Sequence, residues 1–288
     1  MFLQLLINGL IAGAIYALVA AGFSLIYSTC KFIHFAHGAT IAVAAYSLFY
    51  FFSSLQINFW LSVILTIVFT GLFGLFLNFI YKQFRKKKAS NVILLIGSFA
   101  LLILFESLIL IFFGADVKTI GYIKIAKGIE ILGAIITPLQ IVIIISSLVL
   151  FVLLFLLMRK TRIGKAMRAV SDNKDVAEVV GISAERIYAW AFVIGSIIAG
   201  VAGILVGLEQ NLEPTMGTHL MIKGFTGAVI GGIGNVPGAI LGSFLLGIVE
   251  NFGIWYLPSG YKDAIAFIIL FIFLIIRPQG ILGIKKNK

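Results

Sequence analysis

RKTRIGKAMRAVSDNKDVAEVVGISAER, residues 159–186, is the longest polar stretch in a chain of 288 residues that is 61% hydrophobic and 11% charged. Apolar segments long enough to cross a bilayer flank this stretch on both sides. Its first ten positions hold five basic residues: Arg159, Lys160, Arg162, Lys165 and Arg168. Because positive charge beside a span favours the cytoplasmic side, the stretch predicts a cytoplasmic loop between two membrane-spanning helices.

A short helix is marked inside this loop. Ser171 or Asp172 can cap its start, Asp175 lies in its first turn, and Gly181 stands where a left-handed C-terminal cap belongs. Its apolar residues are Val176, Ala177, Val179 and Val180. A short apolar surface between two spans suits docking into a groove of another protein. A helix lying on the membrane surface is the alternative.

The remaining apolar segments predict an all-α polytopic membrane protein that forms one transmembrane domain over residues 1–288. They cover 2–27, 33–55, 59–81, 92–113, 138–158, 188–208 and 258–276, with a further glycine-rich region at 224–242. Most of the 22 Lys and Arg residues then lie on one side, notably in the cluster at 82–88 and the C-terminal tail. We expect about eight transmembrane helices, with the N-terminus outside and the C-terminus inside.

Two segments depart from the pattern of a spanning helix. Residues 114–137 form a loop in which YIKIAKGIEIL, residues 122–132, alternates apolar and polar side chains, and they predict an extracytoplasmic hairpin that turns near Lys127 and Gly128. Residues 224–242 carry several glycines and Pro237, and they predict a broken or re-entrant helix around Asn235 near the middle of the membrane. In the first span, small residues at i, i+4 intervals predict close packing against a neighbouring helix: Gly9, Gly13, Ala17 and Ala21.

Three motifs together resemble the LivH-type permeases of branched-chain amino acid ABC importers. YALVAAGFSLIY followed by HFAHG matches the family's N-terminal signature at Tyr16, Ala17, Leu18, Gly22, Phe35, Ala36, His37 and Gly38. The polar loop matches at Ala177, Gly181 and Ile182, and the glycine-rich region matches at Gly232, Gly234, Gly238 and Ala239. The chain departs from the family at His34, where asparagine is usual, and at Ala39, where an acidic residue is common.

The resemblance implies a subunit of a bacterial cytoplasmic (inner) membrane importer for leucine, isoleucine and valine, with urea, amides or other amino acids as alternative substrates. It implies four partner subunits besides the lipid bilayer: a second, LivM-like permease, two ABC ATPase subunits and an extracytoplasmic substrate-binding protein. The polar loop would be the ATPase-coupling loop, through Asp172, Asp175, Val176, Ala177, Val179, Val180, Gly181 and Ile182. The candidates for the translocation path are His37, Gly38, Gly232, Gly234, Asn235 and Glu250.

Other classes of function fit the sequence poorly. A net charge of +11 does not indicate nucleic-acid binding, because the basic residues lie at the ends of apolar segments. The chain has no GxxxxGK[ST] motif and no nucleophile–base arrangement, so we expect neither an enzyme nor a cofactor. His34 and His37 share a helix face, but no further ligand lies near them to complete a metal site. A gradient-driven transporter is the main rival; Glu106 and Glu250 are its candidate interior carboxylates, and we expect neither to have a basic partner.

Overall fold

The first helix, α1 (Phe2–Cys30), lies at the centre of the computed structural model, which describes residues 1–122, 128–131 and 133–283. Most of α1 is buried because its small side chains let other helices approach closely. A Cβ on Gly9 would lie 2.8 Å from Cα of Ile248, and one on Gly247 would lie 2.5 Å from the backbone nitrogen of Gly13. The prediction that the glycine face of α1 packs tightly is therefore confirmed.

The described residues form eleven α-helices and one small hairpin. The other helices are α2 (His37–Phe49), α3 (Phe59–Lys86), α4 (Asn91–Phe113), α5 (Pro138–Lys160), α6 (Arg162–Asp172), α7 (Lys174–Val179), α8 (Ala184–Glu209), α9 (Met216–Gly231), α10 (Val236–Gly253) and α11 (Lys262–Ile276). A π-helical turn, Tyr50–Ser54, extends α2, and a 3₁₀ turn, Ser259–Tyr261, precedes α11. Among them, α1, α3, α4, α5, α8 and α10 are long and apolar enough to cross a membrane. The chain is a helical polytopic membrane protein.

Polar residues define where several helices begin. Thr137 and Gln140 form a capping box in which each side chain accepts a hydrogen bond from the other residue's backbone N–H, at 3.2 and 3.0 Å. Pro138 occupies the first position of α5, which starts where the sequence predicted. Asn58 and Ser90 cap α3 and α4, each through a side-chain oxygen that accepts a hydrogen bond from a backbone N–H of the first turn.

The bundle has two ends, which we name by their contents. At the hairpin end, the side chain of Gln4 bonds to the backbone of Ile135, and the backbones of Lys118 and Leu212 pair with each other. At the basic end lie the end of α1, the end of α3 and helices α6 and α7. The tail after α11 also reaches this end, because Ile281 donates to the carbonyl of Ile230 at 2.8 Å.

The expected count of about eight spans is inconsistent with the positions of the chain ends. An even number would put both chain ends on one side, whereas α1 begins at the hairpin end and α11 finishes at the basic end. The difference arises in the glycine-rich region, where α9 and α10 are two separate antiparallel helices. Close contacts between Gly227 and Ser243 and between Gly231 and Gly238 join them.

The sequence suggested that the break between α9 and α10 lies in the middle of the bundle, but the structure places it elsewhere. It covers residues 232–235, where Gly232 and Gly234 have φ values of 113° and 86°, and it lies at the basic end beside Tyr27 and Ser28 of α1. These two positive φ values suit glycine, and they turn the chain within four residues. The structure therefore shows a tight helical hairpin rather than a midplane interruption.

Irregular backbone occurs inside the bundle at another place, residues 31–36. After Lys31 the chain folds back, and α2 begins at His37 beside Gly22, about two turns before the end of α1. Ser98 of α4 supports this segment: its hydroxyl accepts a hydrogen bond from the backbone N–H of Phe35 at 3.1 Å. The second apolar segment thus begins its helix later than the predicted boundary at residue 33.

A hairpin is present in the predicted region, and its turn joins Ile131 to Ala134. Strands β1 (Ile129–Ile131) and β2 (Ala134–Ile136) pair antiparallel, with Ile131 opposite Ala134. Gly128 precedes β1, and the turn includes Gly133, which has φ 79°. Lys127 lies outside the described residues, as do Lys285, Lys286 and Lys288 of the C-terminal tail.

Candidate functional site

The polar loop forms two helices rather than one. Thr161 caps α6 by accepting a hydrogen bond from the backbone N–H of Gly164 at 3.0 Å. Met167 and Val170 of α6 are buried against the bundle. The hydroxyl of Ser171 donates to the carbonyl of Ser28 at 2.8 Å, which attaches α6 to the end of α1. The first part of the loop is therefore packed against the membrane-spanning helices.

The cap of α7 is Asn173, not Ser171 or Asp172 as the sequence suggested. Its side-chain oxygen accepts from the backbone N–H of Val176 at 3.1 Å. Asp172 instead ends α6, and Ser171 is used in the contact with α1. Asparagine is as good a cap as serine or aspartate, so residue type alone could not choose among these adjacent positions.

The predicted end of this helix is confirmed. Gly181 has φ 86° and donates to the carbonyl of Glu178 at 3.0 Å, while Ile182 donates to that of Ala177 at 2.9 Å. This pair of hydrogen bonds is a Schellman motif, which requires a left-handed residue at the position of Gly181.

The four apolar residues of α7 do not share one face. Ala177 is 2% exposed and packs into the core, whereas Val176, Val179 and Val180 are 59%, 86% and 69% exposed. Asp172 and Asp175 are exposed beside them. The three valines form an apolar surface at the basic end, which we call the valine patch.

Arg85 of α3 binds the end of this loop at Glu185, a contact that the sequence did not predict. Its guanidinium group makes two hydrogen bonds to the carboxylate of Glu185, at 3.2 and 3.1 Å, and one to Asn78 at 2.9 Å. The same group lies 4.8 Å from the ring centroid of Tyr188. The sequence indicates only a topological role for the basic cluster at residues 82–88, because no local pattern links α3 to the start of α8.

Both histidines of the N-terminal motif are fully buried. Nδ1 of His34 lies 3.0 Å from the hydroxyl of Tyr81. The ring of His37 packs beside Gly22, where a Cβ would lie 2.9 Å from it. Within the described ranges, no group of three His, Cys, Asp or Glu side chains is placed to hold a metal ion.

A buried charge cluster corrects the expectation that the interior carboxylates have no basic partner. Nζ of Lys223 lies 2.6 Å from Oε1 of Glu250 and 2.8 Å from Oδ1 of Asp263. The hydroxyl of Tyr16 donates to Oε2 of Glu250 at 2.9 Å. Lys223 directly precedes the glycine-rich region in the sequence, and α9, which starts at Met216, carries this lysine into the bundle. Glu106, the other predicted interior carboxylate, faces the bundle and accepts from Thr218.

The six candidates for the translocation path lie in three different places. His37 and Gly38 are packed between helices, Glu250 belongs to the charge cluster, and Gly232 and Gly234 form the turn at the basic end. Asn235 follows that turn and lines a cleft of about 600 Å³ between α5, α6 and α10. The cleft walls are mainly apolar, and Arg168 and Ser171 lie at its α6 side.

Comparison with known proteins identifies relatives along nearly the whole chain. Residues 5–274 match the family model described as "Branched-chain amino acid transport system / permease component". The chain is 33% identical to the high-affinity branched-chain amino acid transport system permease protein BraD of Pseudomonas aeruginosa, covering 98% of this chain and 96% of BraD. It is also 33% identical to LivH of Escherichia coli K12, a protein of the same description, with the same coverage. Among solved structures, PsaBC of Streptococcus pneumoniae in complex with Fab matches with a TM-score of 0.52 at 15% identity, covering 97% of this chain and 93% of that chain. At this identity the likeness concerns the fold alone.

Proposed function

The chain belongs to the family of branched-chain amino acid transport permease components, and from this premise we propose that it is the membrane-spanning subunit of an ATP-driven importer of leucine, isoleucine and valine. The observation that carries the proposal is the full-length match to permeases named for these substrates. The substrates follow from the names of the relatives. The helical bundle supports a permease role, and hydrolysis of ATP is assigned to separate subunits.

We assign four partner subunits to this chain in the bacterial cytoplasmic membrane: a LivM-like second permease, two ATPase subunits and an extracytoplasmic substrate-binding protein. The basic end would face the cytoplasm, since it holds Arg85, Arg168 and the other basic residues of their clusters. The hairpin end would face outward, where a binding protein delivers the substrate.

The valine patch is proposed as the contact with an ATPase subunit. Exposed valines at the cytoplasmic end of a membrane protein bury apolar area only when a partner covers them. Asp172, Asp175, Gly181 and Ile182 shape this surface, and Ala177 holds it to the bundle. Movement of an ATPase would then pass through α7 into α6 and, through Arg85 and Glu185, into α3 and α8.

Uptake of labelled leucine tests this assignment. Proteoliposomes containing the chain with its candidate partners should take up leucine only with ATP. Val179→Asp should strongly reduce both uptake and co-purification of the ATPase, because a charge cannot be buried in an apolar contact without a partner. Val117→Asp is the matched control, since Val117 is also exposed (54%) but lies at the hairpin end. Equal effects of the two substitutions would contradict the role of the patch.

Two outcomes would overturn the proposed substrate or the proposed class of transporter. ATP-dependent uptake of urea or an amide, without leucine, would keep the importer and replace the substrate. The gradient-driven rival gains some support from the buried pair of Lys223 and Glu250, because such pairs serve ion coupling in transporters. Uptake that survives without ATP and stops when the proton or sodium gradient is collapsed would favour that rival.

The translocation path is proposed to reach the cytoplasm along the cleft that Asn235 lines. His37, Gly38, Gly232, Gly234 and Glu250 remain predicted path residues, and each is testable by the same uptake assay. For His37, we expect His37→Ala to reduce transport without loss of the assembled complex. Uptake at the wild-type rate would remove His37 from the path.

A further inference from the structure

The two carboxylates of the charge cluster differ in their exposure to solvent. Glu250 is completely buried, and Tyr16 also binds it. The side chain of Asp263 is 60% exposed, although its bond to Lys223 is almost as short. Releasing Asp263 would return a carboxylate to water, whereas releasing Glu250 would leave a charge in the apolar interior. The bond between Lys223 and Asp263 is therefore the one that can open.

This bond holds a helix that has few other contacts. Only Ile265 and Ala266 are buried in α11, and most of its other apolar side chains point away from the bundle. At the basic end the tail after α11 is fixed by backbone hydrogen bonds from Ile281 and Leu282 to Ile230 and Gly231. The start of α11 has Asp263 as its polar attachment to α9.

The start of α11 lies at the hairpin end of the bundle. α10 ends just before it, and the ring of Phe252 in α10 packs 5.0 Å from that of Phe2. His219 and Lys262 are the other basic side chains near this cluster. A break at Asp263 would free the hairpin end of α11 while its other end stays attached to α9.

We propose that Lys223 and Asp263 form a latch that holds the start of α11 against α9 in the resting importer and opens during transport, while the bond between Lys223 and Glu250 stays closed. Lys223 is thus a positioning residue for α11. The proposal rests on the function proposed above, because the motion is assigned to the transport cycle.

The distance between α9 and α11 tests the latch. Spin labels are attached after Thr215→Cys, at the start of α9, and Tyr261→Cys, two exposed positions, in a Cys30→Ser background. The assembled importer in proteoliposomes is measured without nucleotide and after trapping with ATP and vanadate. We expect mainly a short distance at rest, with a minor long population, and mainly the long distance after trapping. Asp263→Asn should raise the long population at rest about two- to fivefold, the range for a partly exposed ion pair.

Two variants separate a latch from general damage. Asp263→Glu keeps the carboxylate and should restore the resting distance. Asp116→Asn makes the same change as Asp263→Asn in the exposed pair with Lys118 and should leave the distance unaltered. The latch is wrong if Asp263→Asn leaves the resting distance unchanged, or if trapping does not move the label pair in the wild type.

Leucine uptake by the same proteoliposomes keeps the two proposals distinguishable. Uptake without any change in the distance would refute the latch and retain the importer. A distance that responds to Asp263→Asn and to ATP, in vesicles that take up no leucine, would retain the latch and refute the assigned substrate.

Discussion

Replacing Lys223 by methionine should destabilise the chain more than any comparable surface substitution. The change removes the ammonium group 2.6 Å from Glu250, and it leaves a carboxylate that is 0% exposed with Tyr16 as its remaining hydrogen-bond donor. Breaking one side of a buried ion pair costs about 3–5 kcal/mol. Loss of the half-exposed contact with Asp263 adds less than about 1 kcal/mol.

The cause can be separated from the loss of lysine itself. In Lys223→Met/Glu250→Gln the interior charge is absent, and Tyr16 can still donate to the amide oxygen at position 250. Most of the lost stability should therefore return, which leaves a coupling of about 2–4 kcal/mol between the two positions.

Equilibrium unfolding in mixed detergent micelles, followed by circular dichroism, provides the free energies of unfolding for this cycle. Lys118→Met is the matched control, because the ion pair of Lys118 with Asp116 is longer, at 3.6 Å, and exposed. It should change the free energy by less than about 0.5 kcal/mol. Equal destabilisation by the single and double variants would refute the argument that an unpaired Glu250 is responsible.

Three other changes have definite expected results. Gly247→Val should cost more than about 2 kcal/mol in the same unfolding assay, since its Cβ would overlap α1, while Gly97→Ala should be nearly neutral because a Cβ there would meet only the ring of Phe84 at 3.8 Å. Asn173→Ala should destabilise α7 by about 1 kcal/mol and speed hydrogen exchange there several-fold, with Asn173→Asp as the control that retains the cap. Glu185→Gln should change the overall free energy of unfolding by less than about 1 kcal/mol. It should increase hydrogen exchange at the start of α8, because Arg85 loses its charged partner. Unchanged exchange would show that this pair does not hold the loop.

The sequence predicted those features that depend on local pattern. Apolar segments of sufficient length located most helices, Pro138 marked the start of α5, and Gly181 marked the end of α7 because a left-handed cap strongly favours glycine. The Gly9 and Gly13 repeat also indicated a tight helix contact without identifying its partner. Each of these signals lies within a single helix or at its end.

The features that the sequence missed depend on contacts between distant segments. No local pattern links Lys223 to its partners, because Glu250 is 27 positions away and Asp263 is still farther along the chain. Only the packing of α9 brings them together. Arg85 lies in a basic cluster that indicates topology, and its ion pair with Glu185 is visible only in the structure. The glycines at 232 and 234 predicted a break correctly, but their depth in the bundle depends on where α9 begins.

The short α2 has a consequence for how the protein is made. Its 13 residues and the 5 residues of the π-helical turn that extends it reach at most about 27 Å, which is less than the roughly 30 Å of a bilayer's hydrocarbon core. The irregular residues before it need Ser98 of α4, and the face of α2 packs on α8 and α9, which are synthesised more than 130 residues later. Because unpaired backbone is not tolerated in lipid, α2 cannot reach its final position when it leaves the ribosome. We therefore expect a late rearrangement during membrane insertion, in which the second segment settles only after α8 and α9 have entered the bilayer.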